Sequence, residues 1–104
     1  MIDKLGTKWI EIDLDNLAYN VRTIAKKVYP SEIIGVVKAD AYGHGAPEVA
    51  ETMAKCGVKL FAVSCLEEAI ELRRCFFNRN ILLFGSAPVS QISDILNYGI
   101  TPTI

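Results

Sequence analysis

Residues able to do chemistry are concentrated in one short segment, in which residues 38–45 read Lys-Ala-Asp-Ala-Tyr-Gly-His-Gly. This segment directly follows an apolar run at 33–37, which is typical of a strand covered on both faces. In parallel α/β proteins, functional groups gather at the carboxyl ends of the strands. An unprotonated lysine amine at such a place is a nucleophile that can form a Schiff base. Lys38 is therefore the first candidate for a catalytic residue.

Each of these residues also has an interpretation that involves no chemistry. Lys38 can be a surface lysine at a strand end, with its amine extended into water, and position alone favours that interpretation. Gly43 and Gly45 can be ordinary turn glycines. His44 is more often a hydrogen-bonded loop residue than a catalyst, and no metal-ligand spacing surrounds it, so no metal site is predicted.

Strand and helix patterns alternate along the chain and determine where these side chains lie. Strands are predicted at 8–12, 33–37, 60–63, 81–84 and 100–104, and a polar loop at 40–46. Asp13 or Asp15 can cap the first helix, which Pro30 ends, and Ser64 can cap the helix after the third strand. The first helix should bury one apolar stripe, formed by Leu17, Val21, Ile24 and Val28.

This alternation predicts an α/β protein with parallel strands joined by right-handed crossovers. Both a doubly wound sheet and the beginning of a barrel satisfy the pattern, and periodicity alone does not choose between them. No strand is followed by a glycine-rich phosphate fingerprint, so a compact nucleotide-binding domain has little support.

Composition narrows the class of protein further. The chain has 104 residues, of which 51% are hydrophobic, and a net charge of −1. This charge predicts neither a nucleic-acid partner nor a membrane surface. The three cysteines match no paired metal motif and are expected to be largely buried thiols in a reducing compartment. With no signal peptide or spanning segment visible, a cytoplasmic location is expected.

The segment Val-Val-Lys-Ala-Asp-Ala-Tyr-Gly-His-Gly at 36–45 resembles the cofactor-attachment signature of the alanine racemases. Three flanking segments, at 9–17, 61–69 and 81–85, also resemble that family, in the family's order. The resemblance covers essentially the whole chain. It implies the N-terminal part of a (β/α)₈ barrel of pyridoxal-phosphate fold type III, incomplete at about four parallel strands plus an N-terminal strand.

The resemblance also implies roles for individual residues. Lys38 would bind pyridoxal 5'-phosphate as a Schiff base and serve one face of the substrate as a base. Tyr42 matches a tyrosine that contacts the cofactor phosphate region. Phe84 aligns with an apolar residue near the cofactor ring, although the family usually has leucine there and plain core packing is a nearly equal alternative.

The family further implies that the intact enzyme is a cytoplasmic homodimer that supplies D-alanine to cell-wall peptidoglycan. The second catalytic tyrosine and an arginine facing the pyridine nitrogen are expected beyond residue 104. Tyr19, Tyr29 and Tyr98 do not match the motif of that second tyrosine. The strand at 8–12 is expected to join a separate β-rich domain. We expect the 104-residue chain to be a fragment that self-associates and lacks activity alone.

Three other functions satisfy parts of the same pattern. A racemase for another amino acid, such as serine, would use the same fold and lysine. The fold type III decarboxylases place their lysine in a different local motif, so the run at 41–45 argues against them. A catalytically inactive fragment, acting only as a folding or assembly module, would retain cofactor weakly or not at all.

Overall fold

Four parallel strands form a single sheet in the computed structural model, which describes residues 12–103. The strands are adjacent in chain order, β1-β2-β3-β4. Their register aligns Val36, Ala62 and Leu82 across the first three strands. Their bounds are β1 Ile34–Val36, β2 Leu60–Val63, β3 Asn80–Leu83 and β4 Ile100–Pro102.

The sequential order decides between the two architectures that the sequence left open. A doubly wound sheet reverses its strand order at a switch point and carries helices on both faces. The four strands here never reverse, so crossovers of one hand carry the helices on one face only. This is the winding of a (β/α)₈ barrel, and the prediction of an N-terminal barrel portion is confirmed.

The predicted strand at 8–12 falls almost wholly outside the described residues. Ile12, the one member that is described, belongs to no strand.

Helices connect the strands, and local sequence signals account for their ends. Asp13 caps the first helix, because its Oδ1 accepts hydrogen bonds of 3.0 Å from the backbone N–H groups of Asp15 and Asn16. Gly57, with a φ of 98°, follows the third helical segment and ends it. The segments are α1 Leu14–Val28, α2 Lys38–Tyr42, α3 Ala46–Lys55, α4 Leu66–Arg74, a 3₁₀ turn Val89–Gln91 and α5 Ile92–Asn97.

The hydrophobic core lies between the sheet and its helices. Phe61 on β2 is fully buried, and its ring meets that of Phe77 edge to face with centroids 4.9 Å apart. Gly35 on β1 allows close packing, since a Cβ there would lie 2.9 Å from the sulfur of Met53 on α3. The alternate residues of β1 are more open, and Ile34 is 48% exposed. One face of the sheet is therefore packed and the other partly uncovered.

Several sequence predictions need correction. Ser64 does not cap α4, because Cys65 occupies the N-cap position without a side-chain cap bond. The predicted loop at 40–46 instead begins with the hydrogen-bonded segment α2. The predicted stripe on α1 is only partly buried, since Ile24 is half exposed. Cys75 is exposed, whereas Cys56 and Cys65 are partly buried.

Candidate active site

The carboxyl edge of the sheet is where the predicted functional residues meet. The aligned residues Val36, Ala62 and Leu82 each lie two positions before a residue at this edge. Lys38, Ser64 and Phe84 each follow the last residue of β1, β2 or β3 by one or two positions, so all three lie at this edge. Val37 has a ψ of 24° and Lys38 begins α2, so the alternation of the strand ends before Lys38.

A left-handed turn follows Lys38 immediately. Ala39, Asp40, Ala41 and Tyr42 have φ values of 52°, 55°, 54° and 56°. Left-handed helical backbone costs L-residues about 1–2 kcal/mol each, so four in succession cost about 4–8 kcal/mol. Such a conformation persists only where the surrounding structure holds it. The turn is therefore a strained feature placed next to the candidate nucleophile.

Hydrogen bonds within the segment hold the end of this turn. The backbone carbonyl of Asp40 accepts from the N–H of Gly45 at 2.9 Å, and its carboxylate accepts from the N–H of Ala46 at 2.8 Å. Gly43, which has a φ of 88°, donates to the carbonyls of Ala39 and Asp40. The two glycines predicted as turn residues thus join the turn to α3, and Asp40 is part of the same junction.

The turn carries Tyr42 back toward Lys38. The Lys38 Nζ lies 6.0 Å from the centroid of the Tyr42 ring, at the outer limit of a cation–π contact. Lys38 is half-buried, while Tyr42 is 64% exposed, which leaves its hydroxyl open to a ligand. Phe84 is 39% exposed and so is not a residue of the closed core. The three predicted site residues thus share one edge.

Glu68, in the first turn of α4, is also part of this site, although it was not among the candidate site residues of the sequence. The Glu68 Oε2 accepts a hydrogen bond of 2.5 Å from the Ala39 N–H. Its Oε1 accepts from both the N–H and the hydroxyl of Ser64, at 2.7 and 2.8 Å. Burial raises the pKa of this carboxyl, but the hydrogen bonds from Ser64 and Ala39 outweigh burial and leave the pKa lowered.

The sequence signal for this glutamate was incomplete. Cys65 and Glu68 have the three-residue spacing of a capping box, but the first position lacks the usual serine or threonine. The contact with Ala39 spans 29 residues, and no local pattern predicts it.

Two of the other tyrosines and the histidine are less favourably placed for chemistry at this edge. Tyr29 and Tyr98 precede β1 and β4 and so lie toward the opposite, amino edge of the sheet. His44 contacts the carbonyl of Ala41 through Nδ1 at 2.9 Å, as a loop histidine does. Across residues 12–103, no group of three His, Cys, Asp or Glu side chains is arranged to hold a metal ion. No helix in that range is long and apolar enough to cross a bilayer.

A cavity of about 490 Å³ opens beside the left-handed turn. Tyr42, His44 and Val36 line it, together with residues of α1 and α3, whereas Lys38 does not. Tyr42 therefore borders this cavity, whereas the Lys38 amine does not.

Comparison with known proteins identifies relatives of this chain. Residues 12–104 match the family model described as alanine racemase, N-terminal domain. An alanine racemase of Clostridium kluyveri is 45% identical over 104 residues, which is all of this chain and 27% of that protein. The chain thus spans about a quarter of the length of the curated relatives it matches.

Solved structures of similar proteins agree in fold. A crystal structure of alanine racemase from Bacillus anthracis with bound L-Ala-P superposes with a TM-score of 0.91 at 33% identity, covering 98% of this chain and 27% of the other. One from Bartonella henselae, with covalently bound pyridoxal phosphate, has a TM-score of 0.78 at 36% identity and covers 88% and 26%.

Proposed function

The chain belongs to the alanine racemase family, and from this premise we propose that it forms the cofactor-binding beginning of an enzyme that interconverts L-alanine and D-alanine with pyridoxal 5'-phosphate. The observation that carries the proposal is the position of Lys38. Its amine-bearing side chain leaves the carboxyl end of β1, where a strained left-handed turn begins and carries the Tyr42 ring to within 6.0 Å of the Nζ.

The residues at this edge fit the chemical parts of pyridoxal phosphate. Lys38 offers the primary amine that covalent attachment needs, and its half-buried side chain is still reachable. The exposed Tyr42 hydroxyl can donate to a phosphate oxygen, and the exposed ring of Phe84 can pack against an apolar ring face. We assign Lys38, Tyr42 and Phe84 these three roles.

When bound, pyridoxal phosphate supplies an electron sink that makes the α-proton of an amino acid removable. The contribution of this chain is one positioned base. Lys38 Nζ would take or return a proton on one face of the α-carbon. Racemisation needs a second base on the opposite face, and Tyr29 and Tyr98 lie toward the wrong edge of the sheet. We therefore expect the 104-residue chain alone to lack racemase activity.

The proposal extends to the organisation of the enzyme. Residues 1–104 would form the first part of its barrel domain, with residues 8–12 joining a separate β domain. The intact enzyme would be a cytoplasmic homodimer that supplies D-alanine for peptidoglycan. Family membership supports these assignments, and the partly uncovered sheet face supports the first of them, because a closed barrel would cover that face.

The experiment is covalent trapping on the purified chain. The chain is mixed with pyridoxal phosphate, reduced with borohydride, digested and mapped by mass spectrometry. Lys59→Ala is the matched control for Lys38→Ala, because Lys59 is an exposed lysine that precedes β2 at the opposite edge. We expect the adduct to be concentrated on Lys38, to disappear in Lys38→Ala and to persist in Lys59→Ala.

An adduct spread over the exposed lysines without preference for Lys38 would contradict the site assignment. A D-alanine assay on the same samples tests the expected inactivity. Racemisation by the wild-type chain that depends on Lys38 would show that the chain needs no second base from elsewhere.

A further inference from the structure

The Glu68 carboxylate ties together three elements that meet beside Lys38. Ala39 follows β1, Ser64 follows β2, and Glu68 itself lies in the first turn of α4. Both carboxylate oxygens are used, one on the Ala39 N–H at 2.5 Å and the other on two groups of Ser64 at 2.7 and 2.8 Å. Hydrogen bonds to an ionised acceptor are about twice as strong as neutral ones.

The Glu68 side chain is held at both of its ends, at the Cα and at the carboxylate. Leu66, Ala69 and Leu72 anchor α4 in the core, with exposures of 4%, 0% and 1%, so the Cα of Glu68 sits on a fixed helix. Ser64 holds the free end of the side chain through two donors. The acceptor offered to Ala39 is therefore pre-positioned and does not depend on the left-handed turn for its own placement.

The Ala39 N–H belongs to the same planar peptide unit as the carbonyl carbon of Lys38. A hydrogen bond on that N–H restricts rotation of the unit, and with it the ψ angle of Lys38, which sets the direction in which the chain continues beyond Lys38. The chain enters the left-handed region at the very next residue, where Ala39 has a φ of 52°. The bond from Glu68 thus acts at the junction between the strand that carries Lys38 and the strained turn.

We infer that Glu68 is a positioning residue, which clamps the Ala39 peptide and thereby sets the direction in which the left-handed turn, with Tyr42 at its end, leaves Lys38. This inference rests on the proposed function for the purpose of the clamp, but the clamp itself is a property of the chain. The lowered pKa of Glu68 agrees with a carboxylate that stays ionised when hydrogen-bonded.

Three variants separate this role from alternatives. Glu68→Gln keeps the length of the side chain but removes its charge and replaces one acceptor oxygen with a donor. Glu68→Asp keeps the charge but withdraws it by one methylene, about 1.5 Å, so charge alone should not restore the clamp. Glu67→Gln is the matched control, because Glu67 is an exposed glutamate in the same helical turn.

Two readouts are measured on the 104-residue chain. Amide hydrogen exchange by NMR should be faster at Ala39 by about tenfold or more in both Glu68 variants, as expected for loss of a charge-assisted hydrogen bond. The fraction of borohydride-trapped pyridoxal phosphate found on Lys38, relative to Lys59, should fall by a similar factor. Glu67→Gln should retain wild-type values of both.

The outcomes distinguish the clamp from general destabilisation and from the proposed function. Exchange that rises equally at all core amides would mean that Glu68 only stabilises the fold, and would overturn the inference. So would unchanged exchange at Ala39, or lost protection there with undiminished trapping on Lys38. If the wild-type chain traps nothing on Lys38, the proposed function fails, and exchange at Ala39 alone decides whether the clamp exists.

Discussion

Replacing Arg73 with methionine should destabilise the fold more than replacing any other single charged residue of α4. Its guanidinium donates four hydrogen bonds to backbone carbonyls: to Tyr98 at 2.7 Å, Phe77 at 2.9 Å, Arg79 at 2.8 Å and Gly99 at 3.1 Å. The bonds join the end of α4 to the loop before β3 and to the turn before β4. Arg73 thus links α4 to the segments that precede β3 and β4.

The magnitude follows from these bonds. A protein hydrogen bond contributes about 0.5–1.5 kcal/mol net, so four contribute about 2–6 kcal/mol. The lower part of that range applies, because loop carbonyls near the surface regain water when the guanidinium is removed. Burial also lowers the pKa of the guanidinium, which reflects a desolvation cost that methionine does not carry. We expect a loss of about 2–3 kcal/mol in the free energy of unfolding.

Urea unfolding followed by circular dichroism measures this loss. With a slope of about 1.5 kcal/mol/M, the midpoint should fall by about 1–2 M. Arg74→Met is the control, since Arg74 is the exposed neighbour in the same helical turn and should change stability by less than about 0.5 kcal/mol.

Arg73→Lys tests whether the geometry of these four hydrogen bonds matters in addition to the charge. Lysine keeps the charge but lacks the planar fork that reaches several carbonyls, so its stability should lie between those of wild type and methionine. Equal midpoints for Arg73→Met and Arg74→Met would refute the reasoning.

Three further predictions concern packing, pH and assembly. Gly35→Ala should cost about 1–3 kcal/mol in the same urea assay, because the new Cβ would lie 3.0 Å from the Phe61 ring. Since hydrogen bonds lower the pKa of Glu68, its stabilising contribution is present at neutral pH and is lost as the pH falls through that lowered value. Wild type should therefore lose more stability than Glu68→Gln between about pH 6 and pH 3. Asp40 and Glu71, which line the same small cavity as Glu68, are unchanged between the two proteins. Finally, the open sheet face should make the chain self-associate, and a monodisperse monomer in light scattering would contradict that.

Much of the fold could be read from the sequence because its determinants are local. Buried parallel strands appear as short β-branched runs, and all four observed strands begin within one residue of the predicted start, with β2 and β4 beginning at it. Asp13, one of the two aspartates predicted as caps, does cap the first helix, because a cap needs only its own next three residues. The attachment segment was recognisable because its residues are contiguous.

The remaining features depend on residues that are distant in sequence. The choice between a doubly wound sheet and a barrel required the strand order, which is set by how crossovers pack and not by any one strand. The left-handed turn at 39–42 could not be predicted, since alanine, aspartate and tyrosine disfavour that backbone on their own. Local rules also misassigned Ser64, whose hydroxyl donates to Glu68 and caps no helix.

The sequence by itself determined the identity of the candidate nucleophile, its place after a buried strand and the family to which the pattern belongs. Only the tertiary structure decided how the turn that follows Lys38 is held. The Glu68 carboxylate comes from the next βα unit, 29 residues beyond Ala39. Periodicity and motif describe contacts within a few residues, whereas a strained turn is stable only when such distant groups supply the hydrogen bonds that offset its cost.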